Sequence, residues 1–261
     1  MFFIDTPILA YHRIAPEKSS KNLGEFGLPA IHFERQMRYL HEHGFVCLPL
    51  KDIFRQTDNG RLHRRRTFAL TFDDGHEDFF TLAYPVLREY GFTATVFVVT
   101  TWILGQGDLE REGSSRYLTW EQIEALQQRG VSFGSHTCTH TRLPDLFLEE
   151  IQRELTASKE CLETRLGREI PWLAYPYGAS TIEIQKMAEV AGYRAAFGVS
   201  HGKSGRFNVW RRLCLKDDRR WTFALRLNPL YHFFGHLRED TEAGRLLRKV
   251  KNRIGHGRGS Q

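Results

Sequence analysis

Thr71-Phe72-Asp73-Asp74-Gly75 sets two carboxylates side by side, after the apolar run Phe68-Ala69-Leu70 and ahead of His76-Glu77-Asp78. Side chains alternate along a strand, but a turn ending in glycine at the strand's end lets both carboxylates approach one pocket. Two carboxylates that close repel unless a cation sits on one or a proton on the other. Such a pair can divide into one metal ligand and one general base. An Asp-Gly turn capping the following helix has the same spelling, so the stretch needs partners before it means chemistry. His136-Thr137-Cys138-Thr139-His140, after Gly134-Ser135, offers them. Histidines four apart share a face on a helical turn, and on a loop after a strand both can still converge. With one carboxylate they would make a His-His-Asp set that leaves positions open for water and substrate. Surface or helix-capping histidines fit the same spacing. Cys138 stands one residue from His136, which tends to point the two apart, and it reads as packing.

In chain order, Asp73-Asp74-Gly75, Ser135 to His140, and Tyr175-Pro176-Tyr177-Gly178 resemble the polysaccharide deacetylases of carbohydrate esterase family four. Leu118-Thr119-Trp120, Glu154-Leu155 and Ala191-Gly192-Tyr193 agree with the same family. The similarity runs over residues 7–215, and three ordered motifs together are specific where each alone is not. The resemblance implies a distorted (β/α) barrel of about seven strands with its active site at the C-terminal strand ends. It also implies a divalent metal, usually zinc, on Asp74, His136 and His140, with Asp73 as general base and the Tyr177 N–H as an oxyanion donor. In that chemistry the metal polarises an amide carbonyl and acidifies its water, while Asp73 takes the water's proton.

Two departures from the common pattern stand out. Many relatives carry the general acid as a late histidine; here the late candidates, His232 and His236, lie beyond the last expected strand. His12, in Ile8-Leu9-Ala10-Tyr11-His12, resembles instead the rearranged subgroup that includes the biofilm poly-N-acetylglucosamine deacetylases, in which the acid-bearing strand comes first. A histidine that merely caps the first strand is the plain alternative. Many relatives also have an arginine two residues before the third-motif proline, holding the catalytic aspartate, where this chain has Ala174. Arg212 matches an arginine of the rearranged subgroup and is the candidate for that role, against a plain arginine at a strand end.

These groups need a scaffold that brings distant segments to one rim. Strand-like runs are expected at 7–11, 45–50, 67–72, 93–99, 131–135, 172–175, 194–199 and 209–215. Helical patterns are expected at 31–43, 77–90, 120–130, 147–166 and 181–191, with polar loops at 14–27 and 105–117. Strands alternating with helices imply a parallel sheet, and this many units in one domain favour the barrel. The catalytic domain is expected to span residues 1–220, with 221–261 an aromatic and then basic amphipathic extension.

The chain has 261 residues, 41% of them hydrophobic, enough for one large core. Its four cysteines show no paired spacing, which favours reduced thiols. The formal charge is +6, and residues 245–258 hold six Lys/Arg and no acid. A nucleic-acid binder would spread basic clusters with aromatics over its folded face, so nucleic acid is not an expected partner. An Fe(II) oxygenase also uses two histidines and one carboxylate, but leaves the second, adjacent carboxylate unexplained. The leading expectation is a metal-dependent hydrolase removing N-acetyl groups from an acetamido sugar, in a polysaccharide or a lipid-linked glycan intermediate. The alternative is a non-catalytic glycan-binding or assembly protein on the same fold. With no export signal in view, a cytoplasmic setting is expected. The tail's apolar face (Leu246, Leu247, Val250, Ile254) amid Lys and Arg suggests docking on an anionic membrane, unless that helix packs on the barrel.

Overall fold

Short apolar runs closed by polar turns form the strands of the computed structural model, which describes residue 4 and residues 6–16, 26–60, 66–103, 116–199, 205–215 and 220–228. The barrel strands are β1 (Ile8–Tyr11), β5 (Thr67–Phe72), β6 (Thr95–Val98), β7 (Ser132–Ser135), β8 (Trp172–Ala174), β9 (Ala195–Gly198), β10 (Val209–Trp210) and β11 (Arg212–Leu213). A small parallel pair, β2 (Arg13–Ala15) and β3 (Gly27–Pro29), stands apart, and β4 (Val46–Cys47) pairs only with the start of β5. The helices are α1 (Ala30–Glu42), α2 (Leu50–Asp58), α3 (Tyr84–Glu89), α4 (Thr100–Ile103), α5 (Trp120–Gln128), α6 (Leu148–Leu166), α7 (Ile182–Val190) and α8 (Arg220–Arg226).

The strand order is β10-β9-β8-β7-β6-β5-β1-β11, and every neighbouring pair is parallel. β10 and β11 stand at opposite ends of that order, yet only Arg211 separates them in the chain. Trp210 is in register with Gly198 of β9, and Arg212 with Leu9 of β1. One segment therefore serves both edges. The eight strands make a nearly closed barrel of seven staves, the last broken at Arg211.

Side-chain alternation sorts the core into two layers. Ile8, Ala69, Phe97, Trp172, Ala174, Phe197 and Val209 pack inside the barrel with Leu50, Ile53 and Phe54 of α2. Phe54 lies 4.8 Å from the ring of Trp172, the first residue of β8, so α2 closes the N-terminal mouth. The intervening residues, among them Leu9, Leu70, Val96 and Leu173, face outward onto α1, α5, α6 and α7.

The structure corrects four expectations. The strand expected at 45–50 is only β4, because Val46 is 55% exposed and Pro49 turns the chain into α2. The region read as a polar loop over 14–27 opens and closes on β2 and β3. The helix expected from residue 77 begins as a π-helical turn, Phe79–Ala83. Phe223 and Leu227 are buried in the core, so the body of the domain runs past residue 220 to at least the start of the undescribed segment. The basic stretch 245–258, with His232 and His236, lies outside the described residues.

Candidate active site and metal centre

Apart from Arg212, which opens β11, the candidate groups within the described residues follow the C-terminal ends of parallel strands: His12 after β1, Asp73 and Asp74 after β5, His136 and His140 after β7, Tyr177 after β8. Continuing the inward face of β5 through Ala69 and Thr71 carries Asp73 into the barrel, where it is 3% exposed. Strand alternation would turn Asp74 away. It does not, because Asp74 takes a left-handed φ of 71° and Gly75 follows at 72°. A Cβ on Gly75 would lie 2.8 Å from Val98 Cγ1, so this turn needs glycine on both counts. Among the described residues, the non-glycine ones with positive φ are Asp74, Thr137, His140, Tyr177 and Arg66, and all but Arg66 lie at the site. Such conformations cost ~1–3 kcal/mol each and persist where the surroundings over-determine them.

The 136–140 loop is fixed by α6. The carboxylate of Glu154 accepts from the Cys138 N–H at 2.8 Å, the Thr139 N–H at 3.0 Å and the Thr139 hydroxyl at 2.7 Å. The Thr137 N–H donates to Ser135 Oγ and the His140 N–H to Thr137 Oγ1. His136 Nδ1 lies 2.8 Å from the Ala174 carbonyl. A carbonyl only accepts, so Nδ1 carries the hydrogen and Nε2 keeps its lone pair for a metal.

Asp74 Oδ1 lies 3.4 Å from His136 Nε2 and 3.3 Å from His140 Nε2. These are the O–N edges of a tetrahedron with bonds of about 2.0–2.1 Å, the lengths zinc makes to nitrogen and oxygen. The three ligand atoms lie within 4.8 Å of one another, and Oδ1 is buried with no hydrogen-bond partner among the described residues. An orphaned anionic oxygen facing two imidazole nitrogens fits a divalent cation. Burial alone would raise the Asp74 carboxyl, but the neighbouring imidazoles of His136 and His76 hold it well below the usual range. Burial and the neighbouring His136 push His140 down to about 4, so its imidazole is neutral at neutral pH. For His136, burial is outweighed by Asp74 and Asp73, and its pKa is raised.

Asp73 is held differently. Arg211 donates from both terminal nitrogens, at 2.6 and 2.7 Å, one to each carboxylate oxygen. Burial opposes ionisation of Asp73, but Arg211, His136 and His12 outweigh it and its pKa falls. His12 Nε2 stands 3.8 Å from Asp73 Oδ2, with its ring stacked on Phe26 at 4.9 Å. Burial lowers the pKa of His12, more than the two aspartates raise it. Tyr177, 67% exposed, sets its ring 4.9 Å from that of His140.

The structure thus brings Asp73, Asp74, His12, His136 and His140 together, with Tyr177 on the rim. Arg212 is a correction. It sits on the outer face, its guanidinium 5.5 Å from the Trp210 ring and donating to the Asn228 carbonyl at 3.3 Å. Arg211 shares the inward parity of Val209 and takes the place assigned to Arg212. Sequence reasoning also gave no role to His76, whose Nε2 is 3.5 Å from Asp74 Oδ2, or to the carboxylate of Glu154. The signal was present in each case: a histidine two residues past the acidic pair, and an acid inside the longest helix.

Comparison with known proteins agrees with this geometry. The polysaccharide deacetylase family profile matches residues 61–196. YxkH of Bacillus subtilis, a polysaccharide deacetylase by name, is 31% identical over 200 residues, 77% of this chain and 66% of YxkH. The chain thus spans just under two thirds of that relative. The poly-β-1,6-N-acetyl-D-glucosamine N-deacetylase of Staphylococcus aureus is 23% identical over 210 residues, 73% of this chain and 71% of that protein. The deacetylase PplD of Streptococcus pyogenes, solved in complex with acetate, superposes with a TM-score of 0.76 at 26% identity, covering 86% of this chain and 98% of PplD. With its barrel, its paired aspartates and its two histidines, this chain belongs to the polysaccharide deacetylase family.

Proposed function

We propose that the chain is a metal-dependent hydrolase that removes the N-acetyl group from an acetamido sugar of a glycan, with zinc as the ion. The observation that carries this is the division of labour between adjacent carboxylates: Asp74 Oδ1 is buried between two imidazoles with no hydrogen-bond partner among the described residues, while Asp73 is gripped by Arg211 beside His12. When bound to Asp74, His136 and His140, the ion supplies Lewis acidity to the amide carbonyl and lowers the pKa of water. Arg211 keeps Asp73 ionised, and Asp73 accepts the water's proton as its oxygen attacks the acetamido carbon. The Tyr177 N–H stabilises the oxyanion. His12 in its protonated form then gives its proton to the sugar nitrogen as the C–N bond breaks, leaving acetate and a free amine. PplD was solved with acetate, the acid this reaction releases.

The named substrate of the staphylococcal relatives supports a β-linked N-acetylglucosamine polymer or its lipid-linked precursor as the substrate class. The basic, apolar stretch of residues 245–258 supports action at an anionic surface, on the cytoplasmic side of a membrane. Mass spectrometry of acetate release decides the reaction, using the zinc-loaded protein and a panel of acetamido sugars, free and lipid-linked. No release from any of them, with zinc content verified, would remove the hydrolase reading and leave a glycan-binding protein on the same fold.

A further inference from the structure

The two oxygens of Asp74 meet different groups. Oδ1 faces His136 and His140, while Oδ2 lies 3.5 Å from His76 Nε2. His76 is 7% exposed, and its Nδ1 is buried with no hydrogen-bond partner among the described residues. The ring's polar contact is thus with the metal-binding carboxylate. A phenylalanine would fill the same space without leaving a buried nitrogen unpaired, which is unfavourable. The ring is also held in orientation. It stacks on Tyr117 at 5.1 Å and 20°, and its backbone bridges to the same tyrosine. The Leu118 N–H donates to the Gly75 carbonyl and the Glu77 N–H to the Arg116 carbonyl, so the histidine cannot drift from the acidic turn.

We propose that His76 is a positioning residue for the metal centre: its Nε2–H engages Oδ2 of Asp74, so that Asp74 offers the ion Oδ1 alone. This rests on the metal site argued above. A carboxylate free at both oxygens can close on a cation with both and occupy a position that water or substrate needs. Tying up Oδ2 keeps that position open, and hydrogen-bonded outer partners of this kind affect metal affinity by about 10- to 100-fold.

The test separates the hydrogen bond from the ring. His76→Phe keeps the stack on Tyr117 and removes the donor, while His76→Gln keeps a donor. The readouts are the zinc dissociation constant by chelator competition, the visible spectrum of the cobalt(II)-substituted protein, and the melting temperature of the metal-free forms. His76→Phe should melt near the parent without metal, bind zinc about 10- to 100-fold more weakly, and show weaker cobalt bands, as higher coordination gives. His76→Gln should stay close to the parent in all three. Equal zinc affinity and an unchanged cobalt spectrum in His76→Phe would overturn the proposal. If His76→Phe does not fold, His76→Met replaces it against His76→Gln, and equal affinity of those two overturns it as well. The His136→Ala variant is the control: a parent that binds no zinc, or a His136→Ala variant that binds it equally well, sinks the metal site itself.

Discussion

At Asp73 both oxygens are taken by Arg211, whereas at Asp74 Oδ1 is left to two imidazoles, so the same substitution should do different things at adjacent positions. Asp73→Asn is expected to keep zinc and lose about two to four orders of magnitude in kcat; Asp74→Asn is expected to lose the ion. Metal analysis showing the opposite retention would exchange the roles. Arg211→Met strands a buried carboxylate, and breaking a buried pair costs ~3–5 kcal/mol. Urea unfolding at neutral pH should show that loss, and Arg212→Ala should not. Because the Asp73 carboxyl is depressed in the folded state, the pair's contribution is full above the ordinary carboxylate range and fades as pH falls through the depressed value. The choice between the two arginines was the part of the site not legible in sequence. One residue in a strand exchanges inside for outside, and nothing local to Trp210-Arg211-Arg212-Leu213 shows where the parity starts. The histidines make a further prediction. His140 sits at about 4 while His136 is raised above 6.5. Between those values one imidazole, not two, must lose a proton to bind zinc. Calorimetry near pH 6 in buffers of differing ionisation enthalpy should give about one proton released per ion, and a value near two would mean that His140 is also charged.

Secondary-structure elements hold these side chains in place, and their contribution was partly readable. Thr119 at the start of α5 does form the capping box that its Thr-Trp-Glu-Gln spelling suggests, and α6 keeps Ile151, Leu155, Ser158 and Leu162 on one buried face. α2 went unseen because β4 and α2 adjoin with only Leu48-Pro49 between them, and an apolar run Phe45 to Leu50 looks like one strand. Its spacing of Leu50, Ile53 and Phe54 was the available clue. The less visible contribution is that of Glu154, because its partners are backbone groups sixteen and fifteen residues upstream. Hydrogen bonds to a charged acceptor contribute ~1.5–3 kcal/mol each, and here they also hold Thr137 and His140 in left-handed conformations. Glu154→Ala is therefore expected to lower thermal stability and to weaken zinc binding by about tenfold or more, as loss of outer support does. Glu154→Gln, which keeps an acceptor, should fall between. Thermal melts together with zinc titrations check this, and unchanged zinc affinity in Glu154→Ala would confine Glu154 to stability.

Closure of the barrel depends on two very short strands. β10 and β11 are two residues each, but they bond to β9 and β1 on opposite edges and carry Arg211 between them. The family profile covers residues 61–196 and so leaves out β1, β10, Arg211 and β11, and the stretch it matches is not a folding unit by itself. Ending the chain after residue 208 removes the closing stave, the partner of Asp73, and the buried Phe223 and Leu227. Burying a phenylalanine or leucine contributes ~1.5–3 kcal/mol, so these losses together should leave no cooperative thermal transition. Ending it after residue 228 keeps all of them and should preserve the melt, zinc binding and acetate release from soluble oligosaccharides. The two truncations thereby isolate what residues 229–261 do. Residues 245–258 bring six Lys/Arg and no acid, and each basic residue near an anionic bilayer contributes ~1 kcal/mol. The full chain is expected to co-sediment with vesicles containing anionic lipid at low salt and to be released as ionic strength rises. The chain ending at residue 228 is expected to stay in the supernatant. If both forms stay there, the basic stretch is solvated and the substrate reaches the barrel from solution. If both sediment, the membrane contact belongs to the barrel itself.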